Sequence, residues 1–273
     1  MPDTAADSTA QAHPMQTTIK TFIIITTAIV AITGTFIFVG PIPQNPDYHR
    51  FADNRKILGI PNALDVLSNA PFVIAGLWGM IFTASLLKKN SFQASRLHYL
   101  IFFMGLFFTG FGSSYYHCYP SNNTLFWDRL PMTIAFMGFF CAVVSETASP
   151  RASLVLLLPL LIAGGGSVVY WEWSEVHGRG DLRIYGLVQF LPMILIPLIL
   201  ALYEKPANYL RYIIAAMLLY FISRLAELLD AQIFQLSHII SGHTLKHLLA
   251  ASGTCCILEM LHKRAGDINT REN

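Results

Sequence analysis

Residues Gly112–Met132 read GSSYYHCYPSNNTLFWDRLPM and join two strongly apolar segments through a short polar link. Polar groups at the edge of a lipid-soluble helix pair are costly to keep, which marks the stretch as functional. Ser113 and His117 are four apart, so on a helix they stand one turn apart on the same face. Asp128 follows the link Tyr119–Thr124, which is short enough to make the flanking helices antiparallel neighbours. Serine, histidine and aspartate are therefore expected at one level of a helix bundle. Far down the chain, His243 and His247 repeat the four-residue spacing at the edge of another apolar segment. Three imidazoles, a carboxylate and a hydroxyl become available to one pocket.

The surrounding composition sets the solvent. Of 273 residues 54% are hydrophobic and only 12% charged, against about 25% charged in a soluble domain. Charge-free runs at 21–46, 66–87, 97–127, 152–171 and 184–203 each reach the roughly 20 residues that carry a helix across the hydrocarbon. Segments 129–147, 208–230 and 238–262 are equally apolar but interrupted by ionisable residues. The fold class is an all-α polytopic membrane helix bundle of eight helices. It divides into a disordered tail over 1–18, an N-terminal anchor helix over 19–41, a seven-helix domain over 42–263 and a cytoplasmic tail over 264–273. No length remains for a separate soluble domain. A net charge of +2 argues against a nucleic-acid partner, and no protein partner is evident. The first helix is not expected to be a cleaved signal, because Asp3 and Asp7 precede it and its apolar run is too long. Cys118, Cys141, Cys255 and Cys256 fall in or beside helices and make no disulfide framework.

Basic residues set the orientation. Lys20, Lys88, Lys89, Arg96, Arg151, Lys205, Arg211, Lys263, Arg264 and Arg271 fall on the side of the N-terminus; Arg50, Arg55, Lys56, Arg179 and Arg183 fall on the other. Both termini are expected in the cytoplasm, with His117, Asp128 and His243 near the outer leaflet.

Other polar positions carry expectations of their own. The loop Gly40–Ala63 lies on the side of the cluster, where His49 and Asp53 point together if the segment turns helical, and where Asp53 and Asn62 are candidates for a second metal or loop site. Asp65, Ser68 and Asn69 open the next helix as cap and interhelical hydrogen-bonding groups. His98 is expected at the interface, Arg129 snorkelling to headgroups, and Pro131 in the first turns of its helix. Tyr170, Trp171 and Trp173 read as an interfacial belt, and Glu172, Glu175, His177 and Asp181 as a solvated loop. Arg224 and Glu227, three apart, are expected to pair, and with Lys246 they are candidates to line the polar cavity.

Neutral imidazoles are good zinc ligands, and catalytic zinc uses three protein ligands with one position open. His117, His243 and His247 supply that set. Zinc lowers the pKa of bound water to about 7; Asp128 would serve as base and then acid, and Ser113 would bond the water or the developing oxyanion. The expected reaction is hydrolysis of an amide or ester in a membrane lipid. Two alternatives stand beside it: a receptor or membrane scaffold holding a structural zinc, and a proton-coupled transporter using Asp128, Glu227 and the histidines as a relay.

The runs LDVLSNAPF (Leu64–Phe72), GFGSSYYH (Gly110–His117), WDRLPM (Trp127–Met132) and HTLKH (His243–His247) resemble the alkaline ceramidase family, part of a superfamily of seven-helix membrane hydrolases that also includes progestin/adiponectin-type receptors and GPI-remodelling proteins. The resemblance covers roughly Asp53 to the C-terminus. It implies a zinc amidase acting on ceramide-like lipid, with His117, His243 and His247 as ligands and Asp128 and Ser113 as catalytic residues beside them. The extra first helix looks like bacterial members, which implies a bacterial inner membrane. Lys246 stands where the animal enzymes carry tryptophan, and their acidic calcium cluster is reduced here to candidates such as Asp53 and Asn62.

Overall fold

The computed structural model describes residues 14–89, 93–203 and 207–272. The order is α1 (Pro14–Phe38), a 3-10 turn (Pro46–His49), α2 (Ala63–Leu67), α3 (Ala70–Lys89), α4 (Ala94–Cys118), α5 (Asn122–Thr147), α6 (Pro150–Val176), α7 (Arg183–Leu202), α8 (Ala207–Leu228), α9 (Asp230–Ser237) and α10 (Gly242–Glu272). Among the described residues there is no β-strand; the one bridge, Ile57 to Ile60, closes a loop.

Among the described residues seven helices are long and apolar enough to cross a membrane: α1, the α2–α3 pair, and α4 through α8. This is a multi-pass helical protein. The eighth long helix, α10, has 31 residues but carries Lys246, His243, His247 and Glu259, and it is not among the seven. The polar tail expected over 1–18 lies outside the described residues as far as 13, and α1 already begins at Pro14, ahead of the expected Ile19. Lys205 also lies outside them. At the other end, α10 runs on through the segment 264–272 read as a tail.

Local chemistry explains several boundaries. The α4–α5 link ends in a capping box, where Ser121 accepts from the Thr124 backbone and Thr124 accepts from the Ser121 backbone. Ser149 caps α6 ahead of Pro150. Pro131 is an interior residue of α5 rather than part of its first turn. The main packing runs α3 on α4, α4 on α5, α5 on α6, and α10 on α8, while α1 lies against α7. Phe102, Phe103, Val143, Ile196, Ile257 and Met260 form the core between them.

Glycines set the closest approaches. A Cβ on Gly105 would meet the Ala135 backbone nitrogen at 2.4 Å, and one on Gly112 the Trp127 carbonyl oxygen at 2.0 Å, so α5 lies on α4 along a side-chain-free edge. A Cβ on Gly242 would meet the Ala226 carbonyl at 2.1 Å, which lets the start of α10 dock on the end of α8. Both contacts sit beside the polar residues singled out above.

Several expectations are corrected by tertiary packing. His98 is fully buried rather than interfacial. Arg129 does not snorkel: it is buried, its guanidinium lies 4.2 Å from the Trp171 ring and 4.9 Å from Tyr185, and its Nη2 donates to Gln44 Oε1 at 2.7 Å. Trp171 is itself buried under that cation, which leaves Trp173 exposed at the surface. Glu175 accepts from the Gln44 backbone and from Trp171 Nε1. Asp181 is buried and chelated by Arg183, which holds its carboxyl below the usual carboxylate range.

Candidate metal centre

His117 is the penultimate residue of α4, and His243 and His247 occupy the first two turns of α10. All three are buried, and one potential ligand atom from each lies within 4.8 Å of the other two. His117 Nε2 and His243 Nε2 are 3.2 Å apart. Two nitrogens bound tetrahedrally to one ion at about 2.0–2.1 Å are about 3.3 Å apart, so the spacing fits a shared divalent ion.

The hydrogen bonds around the rings aim them. Ser68 Oγ donates to the Asp65 carbonyl at 3.0 Å, so its contact with His247 Nδ1 at 2.8 Å is one in which it accepts. That places the His247 proton on Nδ1 and leaves the Nε2 lone pair for a metal. Lys246 Nζ donates to His243 Nε2 at 2.9 Å, which marks the same nitrogen as the electron-pair donor on that ring. His117 Nδ1 is buried with no partner among the described residues. Its backbone carbonyl accepts from Asn62 Nδ2 at 2.8 Å, and Asn62 reaches it from a left-handed conformation with φ of 46° that asparagine tolerates. Asp230 fixes the start of α10: its Oδ1 accepts from the His243 backbone at 2.7 Å and its Oδ2 from the Ala52 backbone at 3.0 Å.

Ser113 and Asp128 stand side by side where α4 and α5 cross at Gly112, and both are buried. Glu227 pairs with Arg224, as the spacing predicts, and also takes Lys246 Nζ at 3.0 Å and Tyr48 Oη at 3.1 Å. Burial, reinforced by Glu227, pushes the Tyr48 hydroxyl well above its ordinary pKa.

The loop between α1 and α2 covers the centre. Phe51 lies with its ring 4.6 Å from the His117 ring and 5.1 Å from His243. His49 bridges Tyr116 Oη and Asn122 Oδ1, each at 3.0 Å. Asp53 is buried and bound through both oxygens by Arg55, which lowers its pKa below the carboxylate range, and Arg55 also reaches the Ile239 carbonyl. His49 and Asp53 therefore serve different partners, because only Pro46–His49 is helical. Asp53 and Asn62 likewise do not meet as one oxygen-ligand set: the first holds Arg55 and the second holds the end of α4.

Asp65, Ser68 and Phe51 are the neighbours of the centre to which sequence reasoning gave no site role. Asp65 is fully buried and accepts from Ser241 and Thr244 on the turn that starts α10, so α2 and α10 are tied together across the histidines. The polar triplet at the head of a membrane helix was the available signal; nothing local marked Phe51.

An apolar cavity of about 150 Å³ lies one helical turn deeper. Its lining includes Phe72, Thr109, Met132, Tyr220 and Ala250, which follow or precede Ser68, Ser113, Asp128, Arg224 and His247 by three or four residues. A cavity of this size with apolar walls stays dry and takes hydrocarbon. The chain thus places three buried imidazoles, close enough to bind a metal ion, at the head of a hydrocarbon-lined space. No family model and no curated protein matches the chain.

Proposed function

We propose that the protein is a zinc-dependent membrane hydrolase that cleaves the amide bond of a ceramide-like lipid, giving a fatty acid and a sphingoid amine. The observation that carries this reading is the convergence of His117, His243 and His247 directly above an apolar cavity. The cavity accommodates acyl methylenes, and its depth below the histidines brings the head of an acyl chain to their level. The asymmetry of basic residues supports both termini in the cytoplasm, with this centre near the outer leaflet of a bacterial inner membrane.

His117, His243 and His247 would hold the zinc ion, which when bound would lower the pKa of a water and polarise a carbonyl. The chain's own groups do the rest. Asp128 accepts one proton of the attacking water on its carboxylate and passes it to the departing nitrogen. Ser113, beside that carboxylate where α4 meets α5, orients it. Phe51 across the imidazole faces limits bulk water, so the electrostatic contacts inside act at full strength. The water oxygen bonds the acyl carbon, the C–N bond breaks, and the amine leaves with the proton Asp128 carried.

The test is His117→Ala in purified protein, followed by bound zinc and by amine release from an N-acyl sphingoid base. Loss of both is expected, and full zinc retention with unchanged turnover would overturn the reading. The complete burial of the three rings favours a second reading, a receptor or scaffold with a structural zinc, which predicts metal without turnover in the wild type.

A further inference from the structure

Beside the histidines stands a charged group that the reaction above does not use. Lys246 lies between the two ligand histidines of α10 in sequence, and its side chain is only 14% exposed. Its Nζ sits 2.9 Å from His243 Nε2 and 3.0 Å from Glu227 Oε1. Glu227 is also held by Arg224 and by Tyr48. The ammonium is thus anchored from behind by a carboxylate, and its other side lies against His243 Nε2, the nitrogen whose single lone pair a bound metal would take, which would free that N–H for another acceptor.

Arg224 and Lys246 share the Glu227 carboxylate, and the buried Asp128 carboxylate lies within electrostatic reach of the lysine as well. Glu227 has Arg224 as a counter-ion without Lys246, so burial of the carboxylate does not require a second cation. A cation beside a site for a dication also opposes metal binding. That cost is offset where negative charge develops next to the lysine during the reaction.

We propose that Lys246 is a catalytic residue, the oxyanion donor for amide cleavage at this centre, a proposal that rests on the hydrolase reading above. Oxyanion donors work at 2.7–3.1 Å from the oxygen they stabilise. Lys246 Nζ occupies the 3 Å shell around His243 Nε2, where a carbonyl oxygen bound beside that imidazole is met. As the water oxygen bonds the acyl carbon, the π pair of the C=O moves onto the carbonyl oxygen. An Nζ–H of Lys246 hydrogen-bonds that oxygen and keeps its proton. The pair then returns to carbon, the C–N bond breaks, and the amine departs with the proton from Asp128. Glu227 is the positioning residue that holds the ammonium.

The experiment uses the full chain in detergent, loaded with zinc, and a fluorescent N-acyl sphingoid base as probe. Lys246→Met should lower kcat by about 10²–10³ with KM changed by less than about threefold. Its zinc affinity, measured by chelator competition, should be equal to or tighter than wild type. Lys246→Arg should recover at least about tenfold of the loss, since it restores a cationic donor. The double variant Glu227→Gln/Lys246→Met removes the lysine and its partner carboxylate together, so a lysine that served only to neutralise Glu227 would no longer be missed; turnover should stay as low as in Lys246→Met. A kcat for Lys246→Met within about threefold of wild type overturns the proposal, as does a double variant that regains wild-type kcat. Zinc affinity falling in step with activity also overturns it. Wild-type protein that binds zinc and releases no amine overturns the hydrolase reading itself, and that outcome is distinct because it precedes any variant.

Discussion

The carbonyl oxygen of Trp127 rests on the bare Cα of Gly112, 2.0 Å from where a Cβ would stand. Pro131, four residues on in α5, has no N–H to offer that carbonyl, so the oxygen is released from the helix ladder and turned toward α4. The residues that follow these two, Ser113 and Asp128, are thereby brought side by side in the packed interior. Gly112→Ala forces backbone against side chain, where neither atom yields cheaply. A loss of about 1–3 kcal/mol is expected, together with loss of turnover as Asp128 withdraws from Ser113. Thermal unfolding in detergent checks the first and amine release the second; an unchanged unfolding midpoint would contradict the close approach.

Asp128→Asn keeps the shape and removes the base of the proposed reaction. Turnover should fall by about 10²–10⁴, with bound zinc at the wild-type level, since no imidazole is touched. Metal analysis and amine release on the same preparation decide this. Wild-type turnover in the asparagine variant would assign the proton transfer to another group.

Ser68→Ala removes the acceptor that sets the His247 tautomer. Partners of this kind are worth about 10–100-fold in metal affinity, and a loss of that size is expected in chelator competition. A chelation curve superimposed on that of wild type would show that His247 is oriented without the serine.

The loop over the centre should loosen in acid. Arg55 holds the Asp53 pKa below its ordinary value, so the contribution to stability is complete above about pH 4, the unfolded value. It is lost as pH falls from there through the lower folded value. Hydrogen exchange over residues 46–56 should therefore be slower in wild type than in Arg55→Gln at neutral pH, with the two converging below about pH 4. Equal protection at pH 7 would argue that the ion pair does not secure the loop.

Much of this arrangement is written locally in the chain. Hydropathy alone marks seven of the long helices, and the helical period puts His117 one turn from Ser113 and His247 one turn from His243. What local pattern does not carry is the identity of a buried partner. Arg129 follows Asp128 and points away from it as the period requires, yet its destination beneath Trp171 and Tyr185 depends on α6 and α7. His98 gives the same lesson, because burial between helices leaves no mark on its neighbours in sequence. The loop 46–56 was the least legible part. Its one short turn and its contacts to Tyr116, Asp230 and Ile239 come from three separate elements.

The three histidines come from α4 and from the beginning of α10, well over a hundred residues apart in the chain. The cluster therefore exists only after the beginning of α10 has inserted and Gly242 has seated against Ala226, so assembly of the bundle and of the centre is one event.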